Sequence, residues 1–263
     1  MTRERDIDVL TVGGVDMDLV LTVPELPDHD EKVIGEMVGW LPGGPAANFA
    51  CAASRLGLRV SAFAMVGDDG NGQGIIDGFS AYGVDTRYIQ IVPEKPSPFT
   101  VIFIDPTGEK AIVVIPTEYD YPLDIAAEIL PKTRVLYMMP RPEAQFLALA
   151  QLAHSYGAEV MIDIEATICN ERSQLERILE HTDIACFNQE GFLAATERDQ
   201  LSVETAQPLL AMGPHTVVVS RGKAGSFAVS RNEVAEQPGL AVNVVDTTGL
   251  VSVSSSCSKS EMR

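Results

Sequence analysis

The stretch of the chain best suited to chemistry is a run of small residues around two adjacent glycines, at 42–48 (PGGPAAN). The glycines Gly43 and Gly44 let the backbone approach a ligand closely, because neither carries a side chain. Pro45 suits the first turn of a helix, and the backbone N–H groups after it can face a polar or anionic ligand. Asn48 offers both a donor and an acceptor, which suits a sugar hydroxyl. The same pattern also fits a plain loop that leads into a helix.

Two carboxylates lie upstream of this stretch, in residues 13–18 (GGVDMD). The short apolar run at 7–12 predicts a strand, so Asp16 and Asp18 come just after a strand end. Acidic side chains in that place can accept hydrogen bonds from hydroxyl groups, or they can cap nearby backbone N–H groups in a loop. The turn 67–69 (GDD) follows the strand predicted at 60–65 and is weak evidence for function when taken alone.

Three more polar or glycine-rich motifs follow predicted strands in the second half of the chain. Residues 184–190 (IACFNQE) contain Asn188, which is well suited to cap the N-terminus of a helix. Residues 220–225 (SRGKAG) are compatible with a tight hairpin turn before the apolar run 226–229. Residues 244–249 (VVDTTG) complete the series.

Composition excludes several classes of protein. The chain has 263 residues, with 19 Lys+Arg against 37 Asp+Glu, and its net charge of −18 argues against non-specific binding to nucleic acid or anionic membranes. No apolar run approaches the length of a membrane span. The cysteines and histidines are scattered without metal-ligand spacing, which argues against a zinc site. The charged N-terminus does not resemble a signal peptide, and we expect a cytoplasmic protein with free thiols.

Strands and helices alternate along most of the chain, which predicts a mostly parallel central sheet with helices on both faces. Two extended segments, 19–40 and 98–116, interrupt this alternation. The second contains the turn 105–108 (DPTG) between two strand-like runs and predicts a hairpin. We expect the two segments to pair into a small β-sheet lid that closes over a ligand. A pair of edge hairpins without a moving role is the alternative.

Taken together, the motifs resemble those of the ribokinase/PfkB family of carbohydrate kinases. Residues 43–50 (GGPAANFA), followed by Gly57 and Gly67, fit the N-terminal signature of that family. The resemblance implies a ribokinase-like α/β fold with ATP and Mg²⁺ as cofactors, and it allows a monovalent cation. It implies transfer of the γ-phosphoryl group of ATP to a hydroxyl of a small carbohydrate, which makes the chain a phosphotransferase with an alcohol acceptor.

The resemblance also implies roles for individual residues. It places the sugar at Asp16, Asp18, Gly43, Gly44 and Asn48. It assigns the nucleotide and its phosphates to a larger set: Asn188, Ser220, Gly222, Gly225, Asp246 and Thr248. The N-x-x-E element of the family, associated with phosphate and magnesium, matches at Asn188. Its fourth position is Gly191 here, and Glu190, one residue early, is the indirect metal candidate.

The chain departs from the family where the catalytic loop should be completed. Gly249 matches the start of the anion hole, which in the family continues Ala-Gly-Asp, with the Asp as general base. Here Leu250 and Val251 follow, and Ser252 occupies the position of the base. Residues 250–263 also lack the apolar spacing of a core helix. We therefore predict one ribokinase-like domain at 1–249, an atypical tail at 250–263, and impaired kinase activity.

Two other functions fit the same motifs. The first is a sugar- or nucleotide-binding protein without turnover, which the missing aspartate favours. The second is a nucleoside or vitamin kinase of the same superfamily, for which Trp40 and Phe49 are the local aromatic candidates for stacking on a base. The resemblance is also compatible with a homodimer formed through the lid.

Overall fold

The computed structural model describes residues 5–166 and 171–239. Within these ranges the strands, in chain order, are β1 Ile7–Val12, β2 Asp16–Thr22, β3 Glu36–Gly43, β4 Val60–Phe63, β5 Met65–Gly67, β6 Gln90–Val92, β7 Phe99–Ile104, β8 Lys110–Ile115, β9 Thr133–Met138, β10 Glu159–Ile164, β11 Ile184–Asn188, β12 Thr216–Ser220, β13 Ser226–Ser230 and β14 Val234–Gln237. The α-helices are α1 Pro45–Arg55, α2 Gly70–Ala81, α3 Leu123–Ile129, α4 Glu143–Ser155, α5 Arg172–Glu180, α6 Gln189–Thr196 and α7 Val203–Ala206.

Eight strands form the central sheet in the order β14-β13-β12-β11-β10-β9-β1-β4. Six neighbouring strands of this sheet run parallel: β12, β11, β10, β9, β1 and β4. The other two, β13 and β14, are antiparallel and lie at one edge. In a parallel sheet, the crossover helices between the strands cover both faces. Strands of this kind are therefore buried on both faces, and their sequences are nearly continuous apolar runs. The predicted α/β fold with a mostly parallel sheet is confirmed.

The helices pack their apolar stripes onto this sheet. In α4 the residues Phe146, Leu149, Ala150 and Ala153 are fully buried, and their spacing is that of one helix face. Gly157 follows the helix with φ +72°, a conformation that glycine adopts without strain. The sequence predicts this apolar face and the glycine stop, but it also predicts Tyr156 on the same face, and Tyr156 is 38% exposed.

Core residues form two clusters, one on each face of the sheet. The larger cluster joins the faces of α3 to α6 to alternate residues of the strands, and the smaller one joins α1 and α2 to the other face. The strand predicted at 60–65 is divided into β4 and β5, and β5 leaves the central sheet to pair with β6. No helix in the described ranges has the length and apolar character that crossing a membrane requires.

A second sheet of four strands, in the order β3-β2-β7-β8, lies apart from the central one. We call it the lid sheet. Strands β2 and β7 pair in parallel, and β3 and β8 flank them as antiparallel edge strands. The segments 19–40 and 98–116 therefore contribute to a single sheet. It extends back to Asp16, because β2 begins there.

Candidate active site

The turn between β1 and β2 brings the first glycine-rich motif against the start of α1. Gly13 and Gly14 have φ values of +66° and +59°, and the N–H of Ala46 donates to the carbonyl of Gly14 at 3.0 Å. Gly44 has φ +93°, and a Cβ there would collide with the Gly14 carbonyl oxygen. Only glycine fits this crossing of two chain segments. The crossing places β2, β3 and α1 side by side.

Asp16 and Asp18 point to the same face of β2, because side chains alternate along a strand. Met17 points the other way, and its side chain reaches Gly74 of α2. Across the β2–β3 pair, Asp16 lies opposite Gly43. A Cβ at Gly43 would collide with Asp18 Oδ2 and lie 3.1 Å from Asp16 Oδ1. The structure thus brings both aspartates and Gly43 together, and the absence of a side chain at Gly43 lets both carboxylates lie against β3.

The two carboxylates lie in an environment that disfavours their charge. Burial raises the pKa of Asp16 to about 7, and the neighbouring charge of Asp18 adds to the shift, while a hydrogen bond from Thr100 opposes it. Burial raises the pKa of Asp18 to about 6, although Lys110 opposes the shift. Thr100 Oγ1 donates to Asp16 Oδ2 at 3.0 Å. The other oxygen, Oδ1, is enclosed and accepts no hydrogen bond from any described residue. Such an oxygen calls for a donor.

Asn48 lies in the first turn of α1, half-buried, with its backbone N–H bonded to the Gly44 carbonyl at 3.0 Å. Its side-chain amide forms no hydrogen bond with another residue of the described ranges. The next residue, Phe49, stacks face to face on Tyr137 with the ring centroids 3.8 Å apart. One face of this ring is therefore occupied within the protein. Trp40 contacts Phe99 edge-on at 6.0 Å.

At the other end of the site, Asn188 caps α6. It is the last residue of β11, and its Oδ1 accepts from the N–H of Gly191 at 2.6 Å. A Cβ at Gly191 would collide with the carbonyl oxygen of Ile164 and lie 3.0 Å from Glu165 Cα. The space leaves no room for the glutamate that the family pattern carries there. Glu190 is exposed in the first turn of the same helix.

Residues 220–225 connect the antiparallel strands β12 and β13 through a short 3₁₀ turn, so the backbone is that of a hairpin. Arg221 N–H donates to the Gly225 carbonyl at 2.7 Å. Gly222 and Gly225 have φ values of +55° and +91°. Ser220 pairs in register with Asn188 of β11. The loop and the α6 cap therefore lie on adjacent strand ends.

Sequence reasoning missed a buried acidic group between these two regions. Asp163 is 7% exposed near the end of β10, opposite Cys186, and burial raises its pKa to about 7, with the charge of Glu165 adding to the shift. Burial also raises the pKa of Glu165. The buried hydroxyl of Tyr137 has no hydrogen-bond partner among the described residues. The signal was present in the sequence, because Asp163 interrupts the apolar run that follows Glu159 in this strand.

Asp163, Asn188 and Ser220 lie at or near the carboxyl ends of the parallel strands β10, β11 and β12, where ligands bind in open α/β sheets. Asp16 and Asp18 lie in β2 of the lid sheet, which follows the carboxyl end of β1. Four residues of the catalytic motif, Asp246, Thr248, Gly249 and Ser252, lie outside the described residues. In the described part of the chain, no group of three or more His, Cys, Asp or Glu side chains is arranged to hold a metal ion.

The fold and the arrangement of this site define the class of ribokinase-like α/β proteins. Residues 6–249 match the pfkB family carbohydrate kinase, and the chain belongs to this family. Ribokinase of Bacillus subtilis is 28% identical over 247 residues, which cover 92% of this chain and 81% of the relative. Nucleoside kinase of Methanothermobacter thermautotrophicus is 27% identical over 248 residues, which cover 93% and 79%. The structure of Arabidopsis thaliana ribokinase complexed with ribose and ATP has a TM-score of 0.79 at 22% identity, covering 92% of this chain and 81% of that one.

Proposed function

We propose that the chain binds a small carbohydrate against β2 and α1, and that its scaffold serves ATP-dependent phosphorylation of a sugar hydroxyl. The observation that carries this proposal is the enclosed Oδ1 of Asp16, which has no donor among the described residues and lies beside Asp18 and Gly43. A polyhydroxyl ligand supplies donors to these carboxylates, which lie close together because Gly43 has no side chain to separate them from β3. The relatives named as ribokinases support a pentose as the first substrate to test.

Each described residue then has a defined task. Asp16 and Asp18 accept hydrogen bonds from sugar hydroxyls, which fixes the ring against the sheet edge. Asn48 contributes an amide from the start of α1, where the backbone N–H groups favour a polar ligand. At the far end, Gly222 faces open space that a nucleotide can enter, whereas the backbone around Gln237 fills the place of a side chain at Gly225.

A divalent ion fits the chemistry of the phosphate end. Mg²⁺ is bound through one or two carboxylates together with phosphate oxygens and water, so it does not need three protein ligands. Asp163 and Glu165 are the carboxylates available between Asn188 and the sugar site. When bound, the ion neutralises phosphate charge. We propose these two residues in place of Glu190, whose exposed side chain follows the helix cap.

We further propose that turnover by the chain is weak, because Ser252 stands where the family has its general base. Isothermal titration with D-ribose and other pentoses, beside a coupled assay with ATP and Mg²⁺, tests both parts. Binding with little turnover supports the proposal. Absence of binding by any pentose contradicts the sugar site, and fast turnover contradicts the impaired catalysis.

A nucleoside acceptor is the second candidate, favoured by the nucleoside kinase relative and by Trp40, which is 42% exposed in the lid sheet. The stacking of Phe49 on Tyr137 weighs against it, since only one face of that ring is free for a base. Titration with adenosine and with ribose on the same sample distinguishes the two acceptors.

We also propose that two copies associate through their lid sheets. The edge strands expose apolar side chains that a monomer leaves in water: Met37, Val38, Ile112, Val113 and Val114. Sedimentation of the protein beside a Val113→Glu variant tests this. A dimer that the variant converts to a monomer supports the association, and a monomeric parent protein contradicts it.

A further inference from the structure

The Gly67-Asp68-Asp69 turn lies between β5 and α2, and it is hydrogen-bonded to the segment that leads into β7 of the lid sheet. Asp69 lies at the surface, and its carboxylate accepts three hydrogen bonds. Oδ2 accepts from the backbone N–H of Ser97 at 2.8 Å, and Oδ1 accepts from Ser97 Oγ at 2.6 Å and from the N–H of Gly72 at 2.8 Å. Ser97 is 1% exposed, and its Oγ in turn accepts from the N–H of Gly67 at 2.9 Å. Asp69 thus joins the start of α2 to the segment that leads into β7.

The two glycines of this region make the contact possible. A Cβ at Gly67 would collide with the carbonyl oxygen of Lys95 and lie 2.7 Å from the Ser97 nitrogen. A Cβ at Gly72 would lie 2.9 Å from Ser97 Oγ. Both positions therefore exclude any larger residue, and the segment around Ser97 is held closely against the turn.

The chain leaving the lid sheet is tied to the same segment. Lys95 Nζ donates to the carbonyl of Glu118 at 2.8 Å, and Tyr119 Oη donates to the carbonyl of Pro96 at 2.9 Å. Both connections of the β7–β8 hairpin are thus joined to each other. The first connection is fixed to the central domain at Ser97, and the second through Gln145 of α4, whose Nε2 donates to the carbonyl of Tyr119 at 3.5 Å.

Three residues beyond Ser97, the same segment has entered β7 and reaches the proposed sugar site at Thr100. The carbonyl of Pro98 accepts from the N–H of Met17 at 3.2 Å, and Thr100 Oγ1 donates to Asp16 Oδ2. This hydrogen bond is the one described contact that orients the Asp16 carboxylate. A short, extended stretch of backbone therefore links Asp69 to Asp16.

We propose that Asp69 is a positioning residue, which sets the place of Thr100 and through it the orientation of the sugar-binding carboxylate of Asp16. This inference rests on the proposed sugar site. The competing explanation is that Asp69 does no more than cap α2 through Gly72.

The variant Asp69→Asn separates the two roles. Asparagine caps helices about as well as aspartate, so the bond from Gly72 is retained. Its amide nitrogen, however, faces the Ser97 N–H as a second donor and cannot accept from it. Asp105→Asn is the matched control, because Asp105 also accepts from a hydroxyl and a backbone N–H, those of Thr107, but in the distant β7–β8 turn. Ser97→Ala removes the hydrogen bond from Ser97 Oγ to Asp69 and keeps the one from the Gly72 N–H that caps α2.

Two measurements test the proposal. Calorimetric titration with D-ribose is expected to show about five-fold weaker binding for Asp69→Asn, a smaller loss for Ser97→Ala and no change for Asp105→Asn. In the background of Thr100→Val, Asp69→Asn is expected to cause no further loss, because both act through the same hydrogen bond. Carboxyl ¹³C NMR of the ligand-free protein is expected to show a higher pKa for Asp16 in Asp69→Asn, since the Thr100 hydrogen bond that lowers it is weakened.

Additive losses in the double variant, or an unchanged titration of Asp16, would overturn the proposal and leave Asp69 as a helix cap. Failure of the parent protein to bind D-ribose would count against the proposed function alone. The NMR titration needs no ligand and would still decide the role of Asp69.

Discussion

The proposed sugar end and the proposed phosphate end of the site differ in how closely the chain follows the family pattern. At the sugar end, Asp16, Asp18, Gly43 and Asn48 match the family pattern, and the structure gathers the two aspartates and Gly43 within contact distance. At the phosphate end, Gly191 replaces a glutamate, and the motif that should end in an aspartate continues with Leu250. In the proposed function, recognition of the acceptor and transfer of the phosphoryl group therefore depend on separate parts of the chain. One can be retained while the other is altered.

The same contrast is visible across the central sheet. On one face of β10 to β12, Val160, Ile162 and Val217 are fully buried under the helices. On the opposite face, Met161 and Val218 remain half-buried. Half-covered apolar strands contribute less to stability than enclosed ones, because less surface leaves water. We expect the largest effects of substitutions at the phosphate end for another reason, because the departures from the family pattern lie there.

The largest effect is expected for turnover. Replacing 250–252 with Ala-Gly-Asp and adding a family-like C-terminal segment should raise the rate by at least about 10²-fold. A positioned base alone contributes about 10²–10⁴-fold, and an anion-hole donor about 10²–10³-fold. A coupled assay with ATP and D-ribose measures it, with Ser252→Asp alone as the control that adds the carboxylate but not the glycine. Equal rates for the original and replaced chains would contradict the assignment and point to another carboxylate, such as Asp246.

Restoring the family residue at 191 should damage the protein. We expect Gly191→Glu to lower the free energy of unfolding by about 1–3 kcal/mol, because its Cβ overlaps the Ile164 carbonyl in a well-packed region. Urea unfolding measures the change. The control is Gln189→Glu, which adds a carboxylate to the same exposed helix start and should alter stability by less than about 0.5 kcal/mol. A Gly191→Glu protein as stable as its parent would show that this region rearranges.

At the sugar end, single truncations should weaken binding without unfolding the protein. Asp18→Ala or Asn48→Ala should each reduce the affinity for the sugar by about 1–3 kcal/mol, the cost of leaving a buried hydrogen-bonding partner unpaired. Calorimetric titration measures the change, and Asp77→Ala on the exposed face of α2 is the control. Unchanged affinity in both variants would remove these residues from the site.

The sequence predicted the architecture well, because its signals are local and repeated. Apolar runs, helix faces such as that of α4, and glycine stops each need only a few neighbouring residues to be read. No sequence pattern predicts contacts between distant segments, such as the hydrogen bonds from Ser97 to Asp69 or the collision that excludes a side chain at Gly191. Both depend on how two loops approach each other in space. The sequence shows Asp163 as a polar residue among apolar ones, but its burial could not be predicted from the sequence.

The smallest effect is expected from pH. The pKa of Asp16 is raised to about 7 in the fold, chiefly by burial, against 3.8 when the group is free, so folding favours its protonated form. The stability from this group is therefore complete below about pH 4 and is lost as the pH rises to about 7. Asp18, with a pKa of about 6, acts in the same direction, and Thr100 and Lys110 oppose the shifts.

Asp16→Asn removes the titration while keeping the shape of the side chain. Because part of the Asp16 side chain still contacts water, we expect the parent protein to lose only about 1 kcal/mol more than Asp16→Asn between pH 5 and pH 8. Urea unfolding of both proteins at both pH values measures the difference. The subtraction cancels the contributions of the other titrating groups, which the two proteins share. Parallel pH profiles would mean that Asp16 is ionised at neutral pH in the fold. Its carboxylate would then have a donor that the described residues do not supply.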